Sequence, residues 1–243
     1  MEIISEDKLK FLAGKYGYNL IYLEKDYFLT LLLYIIKDVE GIYFKGGTCL
    51  NKIFLDHTRL SEDLDFASSK SIESVMKSIE SCIDKKIFPK IETDKTTDNF
   101  VRYHIYYKSY FQLTSYLLLD INKKATVHIK PELHKVPNFY GLDFSINCLH
   151  IDEIVAEKIR ALITRNQPRD YYDAYFILKK YNLNLGFVKA KMKEAKETFD
   201  IERVFKNANK IYSNWETDLL PLTNKKVDFL TIIKFLEKRL GRN

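Results

Sequence analysis

The sequence contains only three cysteines in 243 residues, Cys49, Cys82 and Cys148, and they are far apart along the chain. Without C-x-x-C spacing, they indicate neither a zinc site nor a disulfide framework. The five histidines likewise show no ligand spacing with one another. We therefore expect reduced thiols, as in a cytoplasmic protein, and no structural zinc.

Long apolar segments are also missing from the sequence. Residues 27–36 form an apolar run without charge, but this run is too short to span a bilayer. The first residues are acidic and lack the basic, apolar and small-residue succession of a secretory signal peptide. The sequence predicts neither export nor membrane insertion.

The residues that are present describe an ordinary globular chain. Hydrophobic residues make up 46% and charged residues 30%, so disorder is not expected. Lys and Arg total 39 against 33 Asp and Glu, which gives a net charge of +6. This balance permits a polyanionic partner such as RNA without requiring one, because solvated lysine-rich faces give the same sum.

The pattern of apolar residues predicts an α/β (α+β) fold followed by a helical region. We expect a core domain over residues 1–148 and a helical domain over residues 149–243. The turn-forming segment 94–99 is predicted to be a loop. The other expected elements of the core are a helix from a Ser5 cap to the Gly14–Gly17 region, a helix over 26–39 that Gly41 ends, a strand at 42–44, a helix over 48–55, a strand at 64–66, a helix over 72–83, and strands over 100–111 and 116–121.

Two short motifs predict nucleotide chemistry. Asp63 and Asp65 alternate along a strand, so both side chains point to one side and could share a metal cluster. Gly46 and Gly47 would let the backbone approach phosphate oxygens at the start of a helix. Thr48 could add a hydroxyl contact or simply cap that helix.

Each of these residues also has a plainer interpretation. A D-x-D pair is common in solvated turns, and an acidic residue at a strand edge needs no ligand. Asp120, which ends an apolar strand, is either a third carboxylate of the metal cluster or the point where the strand exits to solvent. Arg59 could orient Asp63, contact phosphate or be solvated.

Four ordered motifs cover roughly residues 40–180. They are Lys45-Gly46-Gly47-Thr48-x-Leu50-x-Lys52, Arg59-x-Ser61-Glu62-Asp63-Leu64-Asp65-Phe66, Glu157-Lys158-Ile159-Arg160-Ala161-Leu162, and Arg165 with Arg169-Asp170-x-x-Asp173. Together these motifs closely resemble the AbiEii/AbiGii toxin family. Its members are bacterial nucleotidyltransferases of abortive-infection and toxin–antitoxin systems, related to the MenT toxins.

The resemblance implies a minimal nucleotidyltransferase fold of the DNA polymerase β type, with a helical C-terminal domain that completes the active-site cleft. It implies transfer of NMP from an NTP with Mg²⁺ or Mn²⁺, an acceptor such as the tRNA 3′ end, and a cognate antitoxin. The implied catalytic residues are Asp63, Asp65, Lys158 and Asp173, and the implied metal ligands are Asp63 and Asp65 with Asp120. The implied nucleotide-binding residues are Lys45, Gly46, Gly47, Thr48, Arg59, Ser61, Arg165 and Asp170.

The residues of the C-terminal region allow this role without requiring it. Lys158 and Arg165 are seven apart, hence on nearly one helix face, and Lys158 could neutralise a triphosphate or snorkel beside the core. Asp170 and Asp173 share a face just after Pro168, where Asp170 could favour the helix dipole and Asp173 could anchor a cation. The acceptor could also be a protein hydroxyl or a small molecule, and a non-catalytic nucleotide-binding protein would keep the same fold.

Overall fold

The computed structural model describes residues 3–113, 115–123, 127–206 and 208–241. The chain divides into two compact units, Met1–His150 and Ile151–Asn243. None of the helices in the described ranges is long and apolar enough to cross a membrane.

The described part of the first unit contains one mixed sheet of seven strands. These are β1 (Ile42–Lys45), β2 (Asp63–Ser68), β3 (Lys90–Thr97), β4 (Phe100–Tyr107), β5 (Ser115–Asn122), β6 (Glu132–Lys135) and β7 (Ser145–Cys148). They lie in the order β3-β4-β5-β2-β1-β7-β6. The pairs β2–β5 and β1–β7 are parallel, whereas the other neighbours are antiparallel. The predicted class, a mixed sheet flanked by helices, is confirmed.

The helices of the first unit are α1 (Glu6–Tyr16), α2 (Leu20–Ile36), α3 (Gly46–Cys49), which continues as a wider turn at Leu50–Phe54, and α4 (Ile72–Cys82). The predicted start of the second helix was wrong. Asn19 caps α2, because its side chain accepts hydrogen bonds from the Ile21 and Tyr22 N–H groups. Gly41 does not end this helix but turns the chain into β1 with a φ of 80°.

One face of the sheet forms the core. In β4 and β5 every second side chain is fully buried, as the alternation of apolar residues predicts. Helix α2 covers this face, where the Phe28 ring stacks on Tyr107 at 4.1 Å between centroids. The opposite face of the same strands carries polar and charged residues. That second face contains the candidate site.

The loop predicted at residues 94–99 is wrong, because β3 continues through Thr97 and forms a hairpin with β4. Only Asp98 and Asn99 remain in the turn. This strand lies at the edge of the sheet, and most of its side chains are exposed. Strand β3 therefore has the threonine-rich and acidic composition of a loop, although its backbone forms the hydrogen bonds of a strand.

The second unit is helical, as predicted. Its described helices are α5 (Ile151–Thr164), α6 (Pro168–Lys180), α7 (Leu185–Glu194), α8 (Arg203–Lys206), α9 (Ala208–Leu219) and α10 (Phe229–Leu240). A buried ion pair joins α5 to α7, since Lys191 Nζ lies 2.5 Å from Glu153 Oε2.

Candidate active site

A row of charged residues crosses four neighbouring strands of the sheet. Lys45 on β1 is paired in register with Asp65 on β2, Asp65 with Asp120 on β5, and Asp120 with Arg102 on β4. Residues paired in this way point to the same face of a sheet, and Asp63 shares that face because it precedes Asp65 by two residues. The register thus places the three carboxylates expected from the sequence on one face of neighbouring strands, with a cationic residue at each end of the row.

Gly46 lies directly against the Asp65 carboxylate. Its φ is 76°, and a Cβ atom added to it would lie 2.1 Å from Asp65 Oδ2 and 2.8 Å from Asp65 Cβ. No other residue type could occupy this position without displacing the carboxylate. The double-glycine turn and the D-x-D pair are therefore parts of one arrangement.

Replacing Gly46 by Ala is expected to destabilise the chain by about 1–3 kcal/mol, because the new side chain meets both a strained φ and Asp65. The nucleotidyl transfer that the sequence resemblance implies should fall as well, since Asp65 must move. The check is urea denaturation together with a transfer assay. Gly14→Ala is the matched control in α1, where nothing lies within 4 Å. A Gly46→Ala chain as active and as stable as the wild type would contradict the close approach.

Thr48 connects the turn to the strand of carboxylates. It is buried, and its Oγ1 donates a hydrogen bond to the carbonyl oxygen of Asp63. It does not cap α3, whose N-cap position is Lys45 without a side-chain cap bond. The hydroxyl therefore fixes the spacing between the glycine turn and β2.

Asn51 supports the turn from its other side. Its Nδ2 donates to the Gly47 carbonyl oxygen at 3.0 Å. Its Oδ1 accepts from Thr58 Oγ1 at 2.7 Å and from the Arg59 N–H at 3.3 Å. The buried Asn51 amide thus links the turn at Gly46 and Gly47 to the segment that leads into β2.

Arg59 and Ser61 lie in that same segment and are both buried. Arg59 Nη1 donates to the Leu60 carbonyl oxygen at 2.8 Å and contacts Ser61 Oγ at 3.1 Å. With 2% of its surface exposed, Arg59 is not the solvated loop residue that was one interpretation of the sequence. It holds the backbone immediately before Asp63.

The side chain of Lys52, a residue of the first motif, is buried in an ion pair. Its Nζ lies 2.7 and 2.8 Å from the two carboxylate oxygens of Asp26 and 2.9 Å from Thr30 Oγ1. The Tyr140 hydroxyl donates to Asp26 Oδ2 at 2.9 Å. Both ions of the pair are 1% exposed, so this contact anchors the segment after the glycine turn to α2.

His57 lies beside that buried ion pair and packs against Phe139, with 4.5 Å between ring centroids and the rings tilted by 48°. Among the described residues its Nε2 has no hydrogen-bond partner. Burial first, and then the charge of Lys52, lower the pKa of His57 to about 4, although Asp26 and Asp56 oppose the shift. The imidazole is therefore neutral in the folded chain at neutral pH.

This pKa predicts a loss of stability in mild acid. In the unfolded chain the imidazole takes up a proton at its ordinary pKa of 6.5, whereas in the folded chain it does so only near pH 4. The contribution of His57 to the free energy of unfolding is therefore present above pH 6.5 and is lost as the pH falls to about 4. The loss should reach about 3 kcal/mol. Asn tolerates the positive φ of this position. The free energy of unfolding of His57→Asn, measured by urea denaturation, should therefore decrease less steeply over this pH range. Parallel curves for the two chains would contradict the assignment.

In the second unit, the candidate residues form a separate buried cluster. Lys158 Nζ lies 2.8 Å from Asp173 Oδ2 and 3.3 Å from Asp170 Oδ1. Both aspartates are fully buried and Lys158 is 6% exposed, so Lys158 does not snorkel to the surface. Asp173 anchors a cation, which was one of its two interpretations.

Arg165 completes this cluster through Asp170. Its Nε and Nη2 lie 2.8 and 2.7 Å from the two carboxylate oxygens of Asp170. Burial raises the pKa of Asp170, but the charge of Lys158 and the hydrogen bond and charge of Arg165 outweigh it, so this pKa lies below its ordinary value. Asp170 also accepts from the Gln167 N–H at 3.3 Å, as part of a capping box at the start of α6.

The first-unit residues suit a divalent cation. Mg²⁺ is commonly held by one or two carboxylates together with phosphates of the substrate, and Asp63 and Asp65 supply such oxygens beside the Gly46 backbone. Over the described ranges, no three His, Cys, Asp or Glu side chains come together as a ready-made ligand group. The donor set therefore fits an ion that arrives with a nucleotide.

The comparison with known families decides the family of this chain. The model of the nucleotidyl transferase AbiEii toxins, of type IV toxin–antitoxin systems, matches residues 32–231. The chain belongs to the AbiEii toxin family. The matched stretch includes every candidate residue from Lys45 to Asp173.

Solved structures show that this AbiEii family member has the fold of the nucleotidyltransferase toxins. It is similar to MenT4, a nucleotidyltransferase toxin from Mycobacterium tuberculosis, with a TM-score of 0.74 and 17% identity over 98% of this chain and 89% of that chain. It is also similar to JHP933 from Helicobacter pylori, with a TM-score of 0.63 and 21% identity over 98% of this chain and 91% of that chain. Among curated protein sequences, none matches significantly.

Three residues of the candidate site were not singled out in the sequence. Asp26 is an acid inside a strongly apolar helix, a signal that could have identified a buried partner for Lys52. Asn51 follows the glycine turn by four residues, within reach of the Gly47 carbonyl. Arg102 alternates with buried residues on β4. This alternation places Arg102 on the open face of the sheet but does not identify Asp120 as its partner.

Proposed function

We propose that this AbiEii-family toxin transfers a nucleoside monophosphate from an NTP to a hydroxyl group of an acceptor. The observation that carries the proposal is the contact between the Gly46 backbone and the Asp65 carboxylate. It joins a turn open to phosphate oxygens with a pair of carboxylates on one sheet face. Membership of the AbiEii family supports the same reaction.

Asp63 and Asp65 would hold Mg²⁺ or Mn²⁺ on this face. When bound, such an ion neutralises triphosphate charge and lowers the pKa of the attacking hydroxyl. Asp120 is the third carboxylate of the row, and its part depends on Arg102.

The proposed step is a displacement at the α-phosphorus. The acceptor oxygen forms a bond to that phosphorus, the bond to the bridging oxygen of the β-phosphate breaks, and pyrophosphate leaves while the hydroxyl proton passes to solvent. Gly46 and Gly47 would give the phosphates access to backbone N–H groups. Thr48, Arg59 and Ser61 would keep that turn at a fixed distance from Asp63 through the contacts described above.

The cations of the site would balance the charge of the triphosphate. We assign Lys45, at the end of the carboxylate row, to nucleotide binding. In the second unit we assign Lys158 to the same reaction, with Asp173 holding its ammonium group and Asp170 orienting Arg165.

We propose the 3′ end of tRNA as the acceptor and a cognate antitoxin as the partner, both in the cytoplasm. The net charge of +6 supports a polyanionic acceptor. The test is incubation with α-labelled NTPs and either total tRNA or total cell protein.

Label should appear in tRNA and disappear when periodate has first oxidised the terminal ribose. Labelled protein with unlabelled RNA would overturn the tRNA acceptor while leaving nucleotidyl transfer in place. The open reading frame next to the gene is expected to encode the antitoxin, and its coexpression should relieve growth inhibition.

A further inference from the structure

The contact between Arg102 and Asp120 is the feature of the carboxylate row that the proposed function leaves unused. Arg102 Nε lies 2.8 Å from Asp120 Oδ1, and Nη2 lies 2.6 Å from Asp120 Oδ2. Both carboxylate oxygens therefore accept a hydrogen bond from the planar guanidinium group. Arg102 and Asp120 are opposite each other on antiparallel strands, so the backbone register presents them to each other directly.

The neighbourhood of this pair contains the proposed metal ligands. Asp65 is paired with Asp120 on the adjacent parallel strand, at a spacing of about 4.8 Å between strands. Carboxylates on neighbouring strands of one sheet face repel each other and attract a divalent ion. The guanidinium group is the nearest described cation on the far side of Asp120, and its own pKa is raised first by the hydrogen bond to Asp120 and then by the charges of Asp120, Asp94 and Asp65.

We propose that Arg102 is a positioning residue that keeps Asp120 from serving as a ligand of the divalent ion. This inference rests on the proposed metal site at Asp63 and Asp65. A cation bound to Asp120 would stand next to the positive guanidinium group and would compete with two charge-assisted hydrogen bonds for the same oxygens. The ion is therefore held by Asp63 and Asp65, and the charge of Asp120 is cancelled within the sheet.

A role of Arg102 in orienting Asp120 as a metal ligand predicts the opposite change in metal binding. A metal ligand is often oriented by an outer hydrogen-bond donor, and removal of that donor then weakens metal binding. If Arg102 orients Asp120 as a ligand, its loss should weaken the binding of the ion. If Arg102 withholds Asp120, its loss should strengthen that binding. The direction of the change separates the two roles.

The experiment is a titration with Mn²⁺ alone, followed by the electron paramagnetic resonance signal of the free ion. Arg102→Gln is expected to tighten binding about tenfold, the effect in water of removing a unit charge about 6 Å from a divalent ion. Asp120→Asn leaves the guanidinium charge unbalanced and should weaken binding by a similar factor, but less than Asp65→Asn does, and the double variant should return close to the wild type. Lys95→Gln is the matched control, because Lys95 is paired in register with Arg102 on the neighbouring edge strand.

The inference is overturned if Asp120→Asn weakens Mn²⁺ binding as much as Asp65→Asn does, or if Arg102→Gln leaves binding unchanged or weaker. Circular dichroism should show that each variant is folded. Should Arg102→Gln fail to fold, Arg102→Lys keeps the charge without the paired hydrogen bonds and should bind Mn²⁺ more tightly than the wild type. Equal Mn²⁺ binding by Asp65→Asn and wild type would instead overturn the metal site of the proposed function, and this inference with it.

Discussion

Replacing Asp63 or Asp65 by Asn is expected to lower nucleotidyl transfer on the order of 10³-fold, because metal-held transition-state charge contributes several kcal/mol to such a reaction. Asn has nearly the same shape as Asp, so the Asp65 position against Gly46 can be kept. The measurement is the initial rate of transfer from an α-labelled NTP at saturating Mg²⁺. Circular dichroism and thermal unfolding of the variants should resemble those of the wild type.

Asp143→Asn is the matched control for these variants. Asp143 is an exposed carboxylate of the same unit and pairs with Lys135 at the surface. Its loss should leave both the rate and growth inhibition unchanged. If Asp63→Asn and Asp65→Asn chains still inhibit growth like the wild type, toxicity does not depend on catalysis and the chain acts by binding alone.

Replacing Lys52 by Met is expected to reduce the free energy of unfolding by about 3–5 kcal/mol, since it leaves the buried Asp26 carboxylate without its cation. The segment 50–54 would then lose its tie to α2. We expect a lower urea midpoint and also weaker transfer, because this segment continues the helix that begins at the glycine turn. Urea denaturation followed by circular dichroism measures the first effect directly.

A second replacement should restore much of this stability. In the double variant Lys52→Met with Asp26→Leu neither charge of this pair is left buried, and the Tyr140 hydroxyl can still donate to the Leu23 carbonyl oxygen at 3.1 Å. Lys77→Met, which breaks an exposed ion pair with Glu73 on α4, should change the midpoint little. A Lys52→Met chain no less stable than the Lys77→Met chain would show that the buried pair is not an anchor.

The sequence predicted those parts of the site that depend on local spacing. Two-residue alternation placed Asp63 and Asp65 on one sheet face, and Pro168 marked the first turn of α6. Strand β3 was missed because an exposed edge strand can have the polar composition of a loop. The boundaries of α2 were missed because Asn19 was not recognised as its cap.

The contacts that define each side chain's role required the tertiary structure. The sequence could not give the register between β4 and β5, and therefore could not pair Arg102 with Asp120. Nor could it show that the Thr48 hydroxyl contacts the Asp63 backbone or that Arg59 is buried. The partner of the motif residue Lys52 was not inferred from the sequence, because Asp26 lies beside it only through the packing of α2. Each of these contacts joins residues from separate elements or depends on how those elements pack.

The most direct test of nucleotidyl transfer is to compare NTPs labelled at the α-phosphate and at the γ-phosphate, incubated with the wild-type chain, Mg²⁺ and total tRNA. The account predicts that the acceptor gains the α-label and that the γ-label is released in pyrophosphate. Transfer of the γ-label to the acceptor would mean phosphoryl transfer instead. That result, or nucleotide binding without transfer of either label to RNA, protein or small molecules, would contradict the assignment of Gly46, Asp63 and Asp65 to nucleotidyl transfer.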